Sequence, residues 1–129
     1  MNRKPGTGTE RRRRTYESGH RAEWLALLWL SAKGYRILAR RYAVHGGEID
    51  IVARRGRVVA FVEVKARPTR EEGLLAITCM KRQRIERAAA VWLARNPWAA
   101  ARTLRGDALL LSRGSWPRHV PGAFELRIG

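Results

Sequence analysis

Two short runs hold the residues best suited to chemistry: Gly47-Glu48-Ile49-Asp50 and Phe61-Val62-Glu63-Val64-Lys65. Both read as strands, and both carry charge where a buried sheet should be apolar. Val58 to Lys65 is rich in β-branched and aromatic residues and is apolar on both sides until Glu63, the pattern of a central strand. Side chains alternate along a strand, so Glu63 and Lys65 share a face with Val59 and Phe61, and Val58, Ala60, Val62 and Val64 take the other. In the first run Glu48, Asp50 and Val52 share a side. Arg54-Arg55-Gly56-Arg57 between the runs is a polar turn whose glycine can take positive φ. The expected hairpin sets Glu48 against Glu63 and Asp50 against Phe61, so all three acids share a face. Asp50 is then diagonal to Glu63, roughly 7 to 8 Å away. Two carboxylates at that separation can lean onto one cation, the arrangement of a metal-dependent phosphodiesterase.

A plainer alternative is a surface hairpin with cross-strand ion pairs. Two features weigh against it. The strand carrying Glu63 is apolar on both faces, and lysine is scarce: Lys4, Lys33, Lys65 and Lys81 are the four among 27 basic residues. A compact ammonium at position 65, in a chain that otherwise writes Arg, points to a need for lysine chemistry there.

The elements that must position these residues follow from the flanking sequence. A helix is expected from about Ser18, as N-cap, to Ala32 or Lys33, with Gly34 at its C-terminal cap. Its apolar residues nearly encircle it, so it should be largely buried. Glu23 lies on the face of Leu27 and Leu30, and reads equally as a first-turn acid favoured by the helix dipole or as a ligand. Tyr35 to Ala43 should form the first strand, followed by the hairpin. A loop through Pro68 and Gly73 leads to a second helix, about Ile77 to Ala94, with Lys81, Arg82, Arg84 and Arg87 on a basic side and Ile85, Ala88, Ala89, Trp92 and Leu93 on a core side. Pro97 should end that helix. Leu104 to Ser112 returns to the sheet, and Ala123 to Ile128 makes a weak last strand.

The ordered set Gly19 to Ala26, Lys33-Gly34-Tyr35-Arg36-Ile37-Leu38, Gly47-Glu48-Ile49-Asp50, Phe61 to Arg67, Lys81 to Ala89, Arg105-Gly106-Asp107 and Ala123-Phe124 resembles the YraN family of small bacterial proteins of uncharacterised function. The resemblance spans residues 19 to 124. It implies a restriction-endonuclease-like α/β fold, a PD-(D/E)xK core with a mixed β-sheet flanked by helices in the order α-β-β-β-α-β, close to archaeal Holliday junction resolvases. The family's site residues carry over onto Glu23, Asp50, Glu63 and Lys65. In three places the chain departs from the pattern: Arg41 stands for an Asn, Gly106 for an aromatic residue, and the segment after Arg67 is short.

At 129 residues and 45% hydrophobic content, the chain has room for one domain and one core, residues 16–129, behind a basic arm of residues 1–15 that includes Arg11-Arg12-Arg13-Arg14. A net charge of +16 implies a polyanionic partner, nucleic acid with DNA foremost and an acidic membrane a distant second. Candidate contacts are Arg54, Arg55, Arg57, Arg67, Lys81 and Arg84. The start shows no secretory signal and no apolar stretch long enough to span a membrane, so the expected setting is the cytoplasm. Cys79 has no Cys or His at ligand spacing and reads as a packed small residue. Trp24, Trp29 and Trp92 read as core. Trp98 and Trp116, beside prolines, read as loop residues open to solvent.

The implied activity is Mg²⁺-assisted hydrolysis, with Mn²⁺ as a substitute. Asp50 and Glu63, with the Val64 carbonyl, are direct ligands, Glu23 acts through a metal-bound water, and Lys65 orients the attacking water. The competing expectation is a non-catalytic nucleic-acid or ribosome-binding module on the same fold. A homodimer is expected by analogy with the resolvases.

Overall fold

A computed structural model describes residues 21–128. The basic arm and the Ser18 cap expected above lie outside the described residues. The chain runs from helix α1, helical over residues 21–32, into β1 (Arg36–Val44), β2 (Gly47–Arg55) and β3 (Val58–Ala66). Helices α2 (Arg70–Leu75) and α3 (Cys79–Arg95) and a 3-10 turn (Pro97–Ala101) lead to β4 (Thr103–Leu111) and β5 (Arg118–Phe124). The five strands form one mixed sheet in the order β1-β2-β3-β4-β5, antiparallel except for the parallel pair β3 and β4. A parallel neighbour needs a long crossover, and α2 and α3 supply it.

Helices cover both faces of the sheet, which explains why β3 is apolar on both sides. On one face Ile85, Ala88, Ala89 and Trp92 of α3 pack on Val52, Val59 and Phe61. On the other, Ala26, Leu27 and Leu30 of α1 pack on Ile51, Ala53, Ala60, Val62 and Leu109. The end of α1 is a Schellman turn: Gly34 takes φ +90°, its N–H donates to Ser31 O at 3.0 Å, and Tyr35 N–H donates to Leu30 O at 3.0 Å. That turn delivers the chain directly into β1.

The structure differs from the sequence-based expectation in several details. The β2–β3 hairpin pairs Arg55 with Val58 and Ile51 with Val62, two residues out of step with the expected register. Its loop is Gly56-Arg57, with φ +61° at Gly56, a two-residue turn with glycine at the first central position. The shift is by an even number, so the acids keep their face, and it brings Asp50 level with Glu63 instead of diagonal to it. The stretch after Pro68 is partly helical. Thr69 Oγ accepts from Glu72 N–H at 3.1 Å, an N-cap, and its hydroxyl donates to the Glu72 carboxylate at 3.1 Å, a pairing written in the sequence as Thr69-Arg70-Glu71-Glu72. The last strand comes earlier than expected, at Arg118–Phe124. Gly106 is where the Phe124 ring lies, 2.6 Å from where a Cβ would be, so Phe124 fills the space an aromatic at 106 would take.

α1 is less buried than its composition suggests: Trp24, Leu25 and Leu28 are exposed, because the sheet covers one side of the helix. Trp92 is core, as expected, but Trp24 is not. Cys79, expected to be packed, is exposed at the start of α3.

Candidate active site

The site forms where the β2–β3 ladder stops. Its last pair is Ile51 and Val62; beyond it β2 peels from β3, and the Asp50 carboxylate replaces the missing main-chain acceptor by taking the Val64 N–H at 2.8 Å. β2 turns toward α3 there, so close that a Cβ on Gly47 would lie 2.4 Å from Arg84 O. Position 47 must therefore be glycine for α3 to reach the strand.

Glu63 is 1% exposed in the middle of the sheet. Its Oε2 takes two ammonium groups, Lys65 Nζ at 3.3 Å from the same strand and Lys81 Nζ at 3.4 Å from the first turn of α3. Its Oε1 is buried and, with both carboxyl groups ionised, has no hydrogen-bond partner; a protonated Asp50 can donate to Glu63. A buried acceptor left unpaired costs about 1 to 3 kcal/mol, and native interiors rarely leave one. Beside it, burial pushes the Asp50 carboxyl up to about 7; the Glu63 charge adds to the shift, and the Val64 N–H and Lys81 oppose it. Two carboxyl groups crowded out of water favour one proton, or one cation, between them.

Glu48 has swung out of this pair. It accepts from Arg84 at 3.0 Å, and that hydrogen bond, with Lys81 nearby, holds its carboxyl below the usual range. Glu23 accepts from Arg41 Nε at 2.6 Å. Arg41, on β1 across from Asp50, has φ +49°, a left-handed conformation that Asn adopts more readily than Arg. Glu23 is thus tied to the strand neighbouring Asp50 and does not join the Asp50–Glu63 pair. Among the described residues, no three His, Cys, Asp or Glu side chains come together as a ready metal cage.

Of the expected nucleic-acid contacts, Arg67, Lys81 and Arg84 stand at the site end of the sheet. Arg54, Arg55 and Arg57 surround the hairpin turn at the other end, roughly 13 to 20 Å away by the rise of four to six extended residues. Two of them are occupied: Arg54 lies over Trp98 and Arg55 over Tyr35, at 5.2 and 4.6 Å from the ring centres.

A second polar cluster, unforeseen from the sequence, lies on the α1 side of the sheet. Asp107, fully buried, accepts two hydrogen bonds from Arg105 at 2.8 Å, one from Gly122 N–H at 3.0 Å, and pairs with His119 Nε2 at 2.7 Å. His119 Nδ1 meets Lys33 Nζ at 2.5 Å, and Arg105 also donates to the Tyr35 hydroxyl at 2.7 Å. Burial would raise the Asp107 carboxyl, but the hydrogen bonds from Arg105, His119 and Gly122 outweigh it and hold the group below its ordinary value. Burial and the Arg55 charge lower Lys33. Every Asp107 oxygen is satisfied, the mark of a structural tie between β4, β5 and the end of α1.

Residues 22–111 match the uncharacterised protein family UPF0102. The chain is 56% identical over 126 residues to a UPF0102 protein of Methylobacterium nodulans, covering 98% of each chain. The chain belongs to the UPF0102 family. A UPF0102 protein of Methylocella silvestris is 57% identical over 118 residues, covering 92% of this chain and 95% of the relative. One of Bradyrhizobium diazoefficiens is 48% identical over 121 residues, covering 94% and 91%. The matched UPF0102 segment contains Glu23, Asp50, Glu63, Lys65, Lys81 and Asp107 but ends before His119 and β5. Among the described residues, no helix is long and apolar enough to cross a membrane.

Proposed function

We propose that this UPF0102 protein is a metal-dependent nuclease that hydrolyses phosphodiester bonds in DNA, with branched or otherwise structured DNA as its substrate. The finer fold reading, a restriction-endonuclease-like core whose signature is Asp50 with Glu63-Val64-Lys65, is part of the same proposal. The observation that carries it is the unpaired, buried Glu63 Oε1 beside the Asp50 carboxyl, with Lys65 and Lys81 at the rim.

That donor set suits Mg²⁺ or Mn²⁺: hard oxygens from Asp50, Glu63 and the Val64 carbonyl, with open positions left for water. A bound divalent ion would supply an activated water and charge neutralisation at the scissile phosphate. The chain's own groups do the rest. Glu63 holds two ammonium groups on Oε2, which leaves Oε1 as the free ligand atom. Lys65 orients the attacking water and offsets charge on the phosphoryl oxygens as the phosphorus–oxygen bond to the leaving group breaks. Lys81, from α3, steadies Glu63 from the other side and faces the incoming phosphate. Like Lys65, it is an exception to the chain's preference for Arg.

A second reading has one observation in its favour. With Asp50 protonated, Glu63 between two lysines is electrically satisfied without any ion, as a binding module with a vestigial site would be. Cleavage assays separate the two. Full-length protein should cut branched or single-stranded DNA in Mg²⁺ or Mn²⁺ and not in EDTA. Lys65→Ala should slow cleavage roughly 100-fold or more while leaving DNA affinity nearly unchanged, because one charge among many is lost from binding but the transition state loses its partner. Tight binding with no metal-dependent cleavage on any of these substrates would favour the binding module.

A further inference from the structure

The nuclease reading leaves open how the strand is presented, and a second feature at the same end of the sheet bears on this. Beyond the ends of β3 and β4 is a cleft of about 270 Å³ whose lining includes Arg70, Leu110, Ser112, Ser115, Trp116 and Arg118. Trp116 is 82% exposed, its indole tilted by 31° against that of Trp29 at 5.9 Å between ring centres. An indole so exposed gains little from folding, yet this one is propped in place. Arg70 and Arg118 line the same cleft, and among the described residues neither has a carboxylate partner. The cleft adjoins the site: Leu110, one of its lining residues, is the β4 neighbour of Lys65 in the parallel register and lies on the same face. Adjacent strands are about 4.8 Å apart.

From this placement we infer that the cleft binds one unpaired nucleotide of a DNA strand, its base stacked on Trp116 and its phosphates held by Arg70 and Arg118, next to the phosphodiester at Asp50, Glu63 and Lys65. The chemistry fits this occupant. An indole face accepts any base and guanidinium groups match phosphate oxygens; Ser112 and Ser115 also line the cleft. A paired base offers no free face, so the cleft selects single-stranded or distorted segments over continuous duplex. The inference rests on the proposed nuclease reading for its purpose but not for its test.

The test is binding of the full chain in EDTA, where cleavage plays no part, to a fluorescent oligothymidylate and to a duplex of equal length at matched salt. Trp116→Ala should weaken oligothymidylate binding roughly 5- to 100-fold, the range for losing a stacked base, and leave duplex binding within about 2-fold. Trp116→Phe, which keeps a ring, should retain most of the affinity. Arg70→Ala with Arg118→Ala should lower the salt slope on the single strand by about 0.7 for each phosphate no longer neutralised. Equal losses on both substrates, no loss on the single strand, or wild-type protein that ignores oligothymidylate would each overturn the proposal. Because Trp116 and both arginines lie on the surface, a thermal melt unchanged from wild type should accompany each variant. A cleavage defect with normal single-strand binding would instead concern the Asp50–Glu63 site.

Discussion

Asp50 is the residue on which the proposed chemistry turns, and its protonation gives a sharp expectation. Its carboxyl is raised from an ordinary value of 3.8 to about 7, so without metal the native state holds a proton that the unfolded chain has released over that interval. This contribution to stability is fully present below about pH 4 and is lost as the pH rises through about 7. Asp50→Asn cannot ionise. In EDTA it should therefore be more stable than wild type above about pH 7, by roughly 1 kcal/mol or more, and the difference should shrink toward about pH 4. Urea denaturation across that range would show it, and a variant less stable than wild type above neutral pH would contradict it. Asp107 has the opposite sign. Its carboxyl is held low by Arg105, His119 and Gly122, so it stabilises the fold above the unfolded pKa and the effect is lost as the pH falls through the depressed value. Asp107→Ala leaves the Arg105 charge and His119 without their partner, and should cost about 3 to 5 kcal/mol. A melt within a few degrees of wild type would rule out the structural role assigned to this cluster.

At the scale of elements, the site depends on α3 approaching β2 at Gly47. A Cβ there would lie 2.4 Å from Arg84 O and 2.9 Å from Ala88 N, both main-chain atoms that cannot move without the helix. Gly47→Ala should destabilise the fold by about 1 to 3 kcal/mol and, by displacing α3 and with it Lys81, slow cleavage more than the stability loss alone explains. Full activity and stability in Gly47→Ala would show that the close approach is dispensable. The strands and α3 were legible from sequence because their signals are local: β-branched runs for β2 and β3, a helical stripe for α3, Gly34 as a cap. What was not legible is non-local. A two-residue shift of hairpin register preserves every alternation, so no pattern in the sequence distinguishes Asp50 opposite Glu63 from Asp50 diagonal to it. Nor does anything near His119 signal a partner at Asp107 on another strand. The capping pair Thr69 and Glu72 was readable, and it marks α2 where a loop was expected. The sparse lysines are a stronger clue than their number suggests: Lys33, Lys65 and Lys81, all the described ones, sit in the two acid clusters.

The chain carries a net charge of +16, and among the described residues basic side chains stand at both ends of the sheet. Arg67, Lys81 and Arg84 stand by the site, and Arg57 in the hairpin turn is about 20 Å away by the rise of six extended residues, so on the proposed reading a DNA strand is held along its backbone beyond the site itself. Affinity should fall steeply with salt, the logarithmic slope tracking the phosphates neutralised. A flat response between low and physiological salt would point to a partner other than nucleic acid.

Whether Asp50 and Glu63 share a divalent cation is measured most directly by calorimetric titration of Mn²⁺ and of Mg²⁺ into the metal-free full-length protein. The titration is run at a pH above the raised Asp50 value, alongside Asp50→Asn and Glu63→Gln. Saturable binding is expected in the wild type, with a loss of roughly 10-fold or more in affinity in each variant. Absence of binding in the wild type, or equal binding in all three proteins, would contradict a shared cation.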